Sequence, residues 1–181
     1  MLATGIKGVA TAAALKNACE LGGWTVRLGK DIVFDQEIIK IQNNKNTTLD
    51  LNGFKIILSD DGIANGLFLV TDNSTLTIKD RKSDSTQMAE KVVSNTCRTA
   101  NYDSDNSTLT YYVTYSTEND SVNHTTKETT KEYTVVLGGG NAGAIIGPSE
   151  ETAQCIFTGR NATINIEGGY ICNFYTLRSN G

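Results

Sequence analysis

Apolar and polar residues alternate in short runs along most of this chain, and some of those runs repeat. Asn46 to Phe54 reads NTTLDLNGF, Asn73 to Asp80 reads NSTLTIKD, and Asn161 to Gly169 reads NATINIEGG. Each copy is Asn, a small residue, Thr, Leu or Ile, any residue, then Leu or Ile. That period of two belongs to a strand with one buried face. The second copy starts 27 residues after the first and the third starts 88 residues after the second. The longer interval is one similar period plus an insertion of about 61 residues, and recurrence at such a period predicts a solenoid of stacked coils. Aligning the asparagines sets Leu49 and Leu51 beside Leu76 and Ile78, and these beside Ile164 and Ile166, as inward columns. Asp50, Thr77 and Asn165 then fall on the outer face.

The segments between the copies extend the pattern. ATAAALKNACELGG (residues 10–23) predicts a helix with Ala13, Ala14, Ala18 and Leu21 near one stripe, Leu15 and Cys19 beside it, and a stop at Gly22-Gly23. Apolar runs at Thr25–Leu28, Ile32–Phe34, Ile38–Ile41, Lys55–Leu58 and Gly66–Val70 are separated by brief polar corners. Short strands with such corners suit a coil with three sides better than long hairpins. The helix would cover the open end of the first coil, as a solenoid requires.

From Arg81 to Glu151 the period breaks. Two strand-like runs, STLTYYVTYST and TTKEYTVVL, predict an inserted hairpin with a long polar tip. NSTLTY at Asn106 also fits the repeat, so another rung is the alternative there. Five of the seven tyrosines lie in this region (Tyr102, Tyr111, Tyr112, Tyr115, Tyr133), whereas all five phenylalanines lie outside it. The expected organisation is an all-β right-handed parallel β-helix with an N-terminal capping helix (1–24), coils (25–80), an inserted β-hairpin (81–151) and a continued coil (152–181).

Composition narrows the function. At 181 residues and 39% apolar, the chain is long enough for a continuous core. A net charge of −4 and a pI near 5.0 argue against nucleic acid as a partner. No apolar run approaches the roughly 18–20 residues that cross a bilayer. The opening residues lack the basic start and apolar stretch of an export leader, so any leader is expected to be missing from this chain. The four cysteines, Cys19, Cys97, Cys155 and Cys172, form no CxxC pair. Buried free thiols are the preferred reading, with a Cys155–Cys172 disulfide as the alternative. His124, the single histidine, lies in a polar run and leaves no material for histidine-based catalysis. GGGNAG (residues 138–143) formally fits GxGxxG but is not followed by a helix, and reads as a flexible return from the insertion.

The run TVRLGKDIVFDQEIIKIQNNKNTTLDLNGFKIIL, with NSTLTIKD and NATINIEGGYICN, resembles right-handed parallel β-helix proteins of the pectate-lyase-like superfamily. Within it, VRLGKDI (Val26–Ile32), LDLNG (Leu49–Gly53) and EGGYI (Glu167–Ile171) look most like bacterial cell-surface members. The resemblance covers about half the chain and implies an extracellular or cell-surface location. It implies no single activity, because that superfamily includes polysaccharide lyases, glycosidases, phage tailspikes and non-catalytic adhesins.

A lyase would hold calcium with clustered acids, and Asp50, Asp80 and Glu167 stand near corresponding edges of three repeats. Their counterparts in the repeat are Thr77 and Asn165, so no column of acids forms and calcium belongs only to that alternative. A glycosidase would need two carboxylates about 5–9.5 Å apart. Asp50 is expected to be an exposed strand residue beside a turn. The repeat asparagines are expected to form a ladder at tight corners, where Asn tolerates left-handed geometry. No cofactor is expected. The preferred function is a non-catalytic surface module for adhesion or glycan binding, with a structural spacer or tail-fibre segment as a further alternative. Tyr112, Tyr111, Tyr115 and Tyr133 are the candidate glycan contacts, Tyr112 first because its strand neighbours are threonines. The chain ends soon after the third repeat without a second cap, so it is expected either to continue in a longer protein or to self-associate through its last coil.

Overall fold

A computed structural model of the chain describes residues 5–60, 66–82, 92–120, 125–148, 153–174 and 178–179. Its residues divide into two compact units, Met1–Ser83 with Leu137–Gly181, and Asp84–Val136.

The first unit is a parallel β-helix. A short strand β1 (Ile6–Val9) precedes helix α1 (Ala12–Leu21). The first coil then gives β2 (Thr25–Leu28), β3 (Ile32–Phe34) and β4 (Ile39–Ile41), and the second gives β5 (Asn46–Asp50), β6 (Lys55–Leu58) and β7 (Gly66–Val70). The third coil starts with β8 (Thr75–Lys79). The chain then forms β9 (Val92–Asp103), β10 (Thr108–Asp120) and β11 (Thr125–Val136) of the second unit before completing the coil with β12 (Ala144–Ile146) and β13 (Gln154–Thr158). A fourth coil supplies β14 (Thr163–Ile166), β15 (Tyr170–Cys172) and β16 (Arg178–Ser179). Each coil delivers one strand to each of three parallel sheets: sheet A in the order β1-β2-β5-β8-β14, sheet B in the order β15-β12-β6-β3, and sheet C in the order β16-β13-β7-β4.

Alternation explains the core. Val26, Leu49 and Ile78 are neighbours in sheet A and are fully buried, and Phe34 and Phe68 fill the interior beside sheets B and C. At about 25 cal/mol per Å² of apolar surface, each such side chain contributes on the order of 2–3 kcal/mol. Ile166 continues the Val26–Leu49–Ile78 column on the last rung, where it is 48% exposed.

One expected register is corrected. The third repeat stacks on the second as the motif predicts, with Ile164 opposite Leu76 and Ile166 opposite Ile78. The first stacks on the second two residues out of the motif alignment: Thr47 faces Leu76 and Leu49 faces Ile78. The corner residue of coil two is therefore Asn44, with φ 61°, rather than Asn46, which is an exposed strand residue. Asn44 donates its N–H to the carbonyl of Asp72, next to Asn73. The asparagine ladder does form between Asn73 (φ 56°) and Asn161 (φ 54°), whose side chains bond at 3.0 Å. Thr47 occupies an inward position because its hydroxyl donates to the carbonyl of Cys19 at 2.9 Å, tying coil two to α1.

The helix starts at Thr11, whose hydroxyl accepts from the Ala14 N–H, and stops at Gly22, φ 69°. Its buried stripe is Ala12, Leu15, Ala18 and Cys19; Ala13 and Leu21 are exposed, which moves the expected stripe by one position. GGGNAG is also not slack. Gly138, Gly139 and Gly140 hold positive φ, and a Cβ on Gly143 would run into Leu51 and Asp80.

The second unit is a three-stranded antiparallel sheet, β11-β10-β9, so the expected hairpin β10–β11 gains a third strand. NSTLTY is not a solenoid rung. Asn106 closes the turn between β9 and β10 by donating backbone and side-chain N–H to the Asp103 carboxylate, at 3.2 and 2.7 Å. Those bonds hold the Asp103 carboxyl below its ordinary range.

Cys19, Cys155 and Cys172 are buried free thiols; the side chain of Cys97 lies outside the described residues. Burial pushes Cys19 and Cys155 up to about 12 and Cys172 to about 11, from 9.0. In the unfolded chain these thiols ionise near 9, while the folded chain keeps their protons. The stability they contribute is thus complete below pH 9 and is lost as pH rises from 9 toward 12. Native protein at pH 8 is expected to resist iodoacetamide at these three positions and to react fully in denaturant. Rapid native labelling of Cys19 would contradict their placement.

Candidate functional site

An enzyme of this fold would need clustered carboxylates. Asp80 follows β8 at the corner between sheets A and B, where it is 7% exposed. Its Oδ1 accepts from the Gly53 N–H at 2.7 Å and the Lys82 N–H at 3.2 Å, and its Oδ2 accepts from the Gly143 N–H at 2.8 Å. One side chain thereby joins the corner of coil two to the point where the chain re-enters coil three. Asp31 does the same for the neighbouring stretch, accepting from the Lys55 N–H at 2.9 Å and the Gly139 N–H at 3.0 Å. These are turn-holding aspartates; their acceptor capacity serves backbone donors.

Asp50 departs from expectation. It is on the outward side of β5, opposite in parity to Leu49, but it is fully buried. Arg27 on β2, its partner in the sheet, reaches Oδ2 through Nε at 2.9 Å, and Arg81 reaches the same oxygen through Nε at 3.1 Å. Oδ1 accepts from the Asn52 N–H at 3.1 Å. The two arginines cover what the sequence presented as a bare strand residue. Glu167, by contrast, is exposed at the end of β14. Among the described residues, no three His, Cys, Asp or Glu side chains stand close enough to share a metal ion.

The tyrosines separate by strand parity. Tyr111 on β10 and Tyr133 on β11 are register partners, and their rings stack at 5.4 Å with an 18° tilt. Both are half-buried, on the side of the sheet that carries buried Leu109 and Val113. Such a cross-strand pair contributes about 0.5–1.5 kcal/mol beyond burial. The side chain of Tyr115 lies outside the described residues. Tyr112 points the other way and is 39% exposed. Glu132 is its register partner on β11, and that carboxylate, first as an acceptor that favours the protonated phenol and second by its charge, raises the phenol's pKa.

Threonine pairs bracket this couple two residues away on each side. Thr110 bonds Thr134 at 3.2 Å and Thr114 bonds Thr130 at 2.8 Å, hydroxyl to hydroxyl. Tyr112 thus stands on a shelf of paired hydroxyls with a carboxylate beside it. Alternation in the sequence places Tyr112 on the threonine face of β10, as observed, but the partners Glu132, Thr130 and Thr134 were not read from it. Their signal was the alternation in TTKETTKEYT, where Thr130, Glu132 and Thr134 share one face.

Compared with known proteins, the chain matches no family model, no curated protein and no solved structure.

Proposed function

We propose that this chain is a non-catalytic β-helix module that binds glycan through the Tyr112 face of its inserted sheet, and that it works at a bacterial cell surface. The observation that carries the reading is an exposed tyrosine ring beside Glu132, its register partner, between two bonded threonine pairs. A sugar ring stacks its C–H face on an aromatic ring while its hydroxyls need donors and acceptors close by. Thr110, Thr114, Thr130, Thr134 and Glu132 supply both. The surface location rests on the resemblance of VRLGKDI, LDLNG and EGGYI to pectate-lyase-like β-helix proteins of bacterial surfaces.

Tyr112→Ala is expected to weaken binding to any glycan the protein retains on an array by about tenfold or more. Its melting transition should stay within about 0.5 kcal/mol of the parent, as for an exposed substitution. Isothermal titration of the array hit and thermal unfolding read the two quantities. Unchanged affinity would remove Tyr112 from the site; early unfolding would make it a core residue.

A further inference from the structure

A cluster of cationic side chains lies on the outer face of sheet A, independent of the Tyr112 face. Arg27 and Arg81 each spend only Nε on Asp50, and both do so on the same oxygen, Oδ2. Their guanidinium groups are therefore held close together on a buried carboxylate that fixes their orientation. Among the described residues the Nη groups of both arginines have no acceptor. The Arg27 side chain is 22% exposed and that of Arg81 50%, so these edges reach solvent. Lys79 is the register partner of Asp50 on the far side from Arg27, and it too has no partner among the described residues. On the near side Arg27 pairs in register with Gly8, where nothing lies within 4 Å of the place a side chain would start. An open floor thus adjoins Arg27 on one side, while Lys79 brings an ammonium to the other side of Asp50.

We infer that this patch binds one oxyanion group, a sulfate, phosphate or carboxylate. Guanidinium recognises such groups through paired N–H donors, and pre-orientation by Asp50 lowers the cost of holding two of them for one ligand. The charges in the neighbourhood allow it. Asp50 is matched by the two arginines, Asp80 is occupied by three backbone N–H groups, and Glu167 is exposed beyond Lys79 at the end of β14. Arg27, Lys79, Arg81 and Lys82 outnumber these three acids by one.

The test is a titration of the whole chain with sodium sulfate at constant ionic strength, with chloride as the balancing salt. The Nε–H resonances of Arg27 and Arg81 are followed by NMR. The expected result is a saturable shift of both resonances that chloride does not produce. Arg81→Gln should weaken sulfate about tenfold or more, Arg81→Lys should fall between, and Lys82→Gln should stay within about twofold. A sugar sulfate, a sugar phosphate and a uronate, each set against its neutral parent sugar, then identify which carrier of the oxyanion binds best. Absence of a saturable shift in the unmodified protein overturns the inference, whatever the variants do. So does an Arg81→Gln variant, folded by its melting curve, that binds sulfate as the parent does.

Discussion

Asp80→Ala is expected to lower the unfolding free energy by about 3–5 kcal/mol, a large share of what a domain of this size possesses. The carboxylate is buried and accepts from the Gly53, Gly143 and Lys82 N–H groups. Alanine leaves the first two donors buried without an acceptor at that position, and each such orphan costs roughly 1–3 kcal/mol. Asp80→Asn keeps one acceptor oxygen and should lose about half as much. Urea unfolding followed by circular dichroism reads both variants, with an unchanged slope and a lower midpoint as the signature. A loss below about 0.5 kcal/mol in Asp80→Ala would show that the corner is held by other means.

The second large effect belongs to Asp50. Removing it leaves Arg27 without its buried partner and opens the Arg81 contact, and breaking a buried ion pair from one side costs about 3–5 kcal/mol. Since Arg81 is half exposed and keeps access to water, the lower end of that range is expected for Asp50→Ala. Glu167→Ala, at an exposed position, should change stability by no more than about 0.5 kcal/mol. The contrast separates two roles for these acids. Were Asp50 and Asp80 a lyase's calcium ligands, their alanine variants would fold like the parent and lose cleavage of acidic polysaccharide. Here they are expected to lose stability first.

The strands of the first two coils were legible because each buries one face, so apolar residues at every second position mark them to within a residue. Their register was less so. Both Asn44 and Asn46 precede the apolar run of coil two, and the repeated Asn-x-Thr-Leu motif points to the wrong one. What decides is the third dimension, where Thr47 can sit inward only because the Cys19 carbonyl accepts its hydroxyl proton. Strand β1 escaped notice because IKGV is short and interrupted by glycine. Strand β9 escaped because VVSNTCRTANYD places its apolar residues in no period, being joined to β10 by backbone bonds. The exposed side of Tyr112 could be read from alternation alone. The Arg27–Asp50–Arg81 cluster could not, since its members are 23 and 31 residues apart and meet only through the observed stacking.

The central claim is that the inserted sheet carries recognition and the β-helix carries stability. The most direct measurement compares the whole chain with one in which residues 84–136 are replaced by a short glycine-serine linker, on an array of neutral glycans. Asp31 and Asp80 already hold the two stubs at the corner of the first unit. The shortened chain is therefore expected to keep a cooperative melting transition and its β-rich circular dichroism. Every neutral glycan bound by the whole chain should drop to background. A shortened chain that remains folded and keeps those glycans would contradict the account.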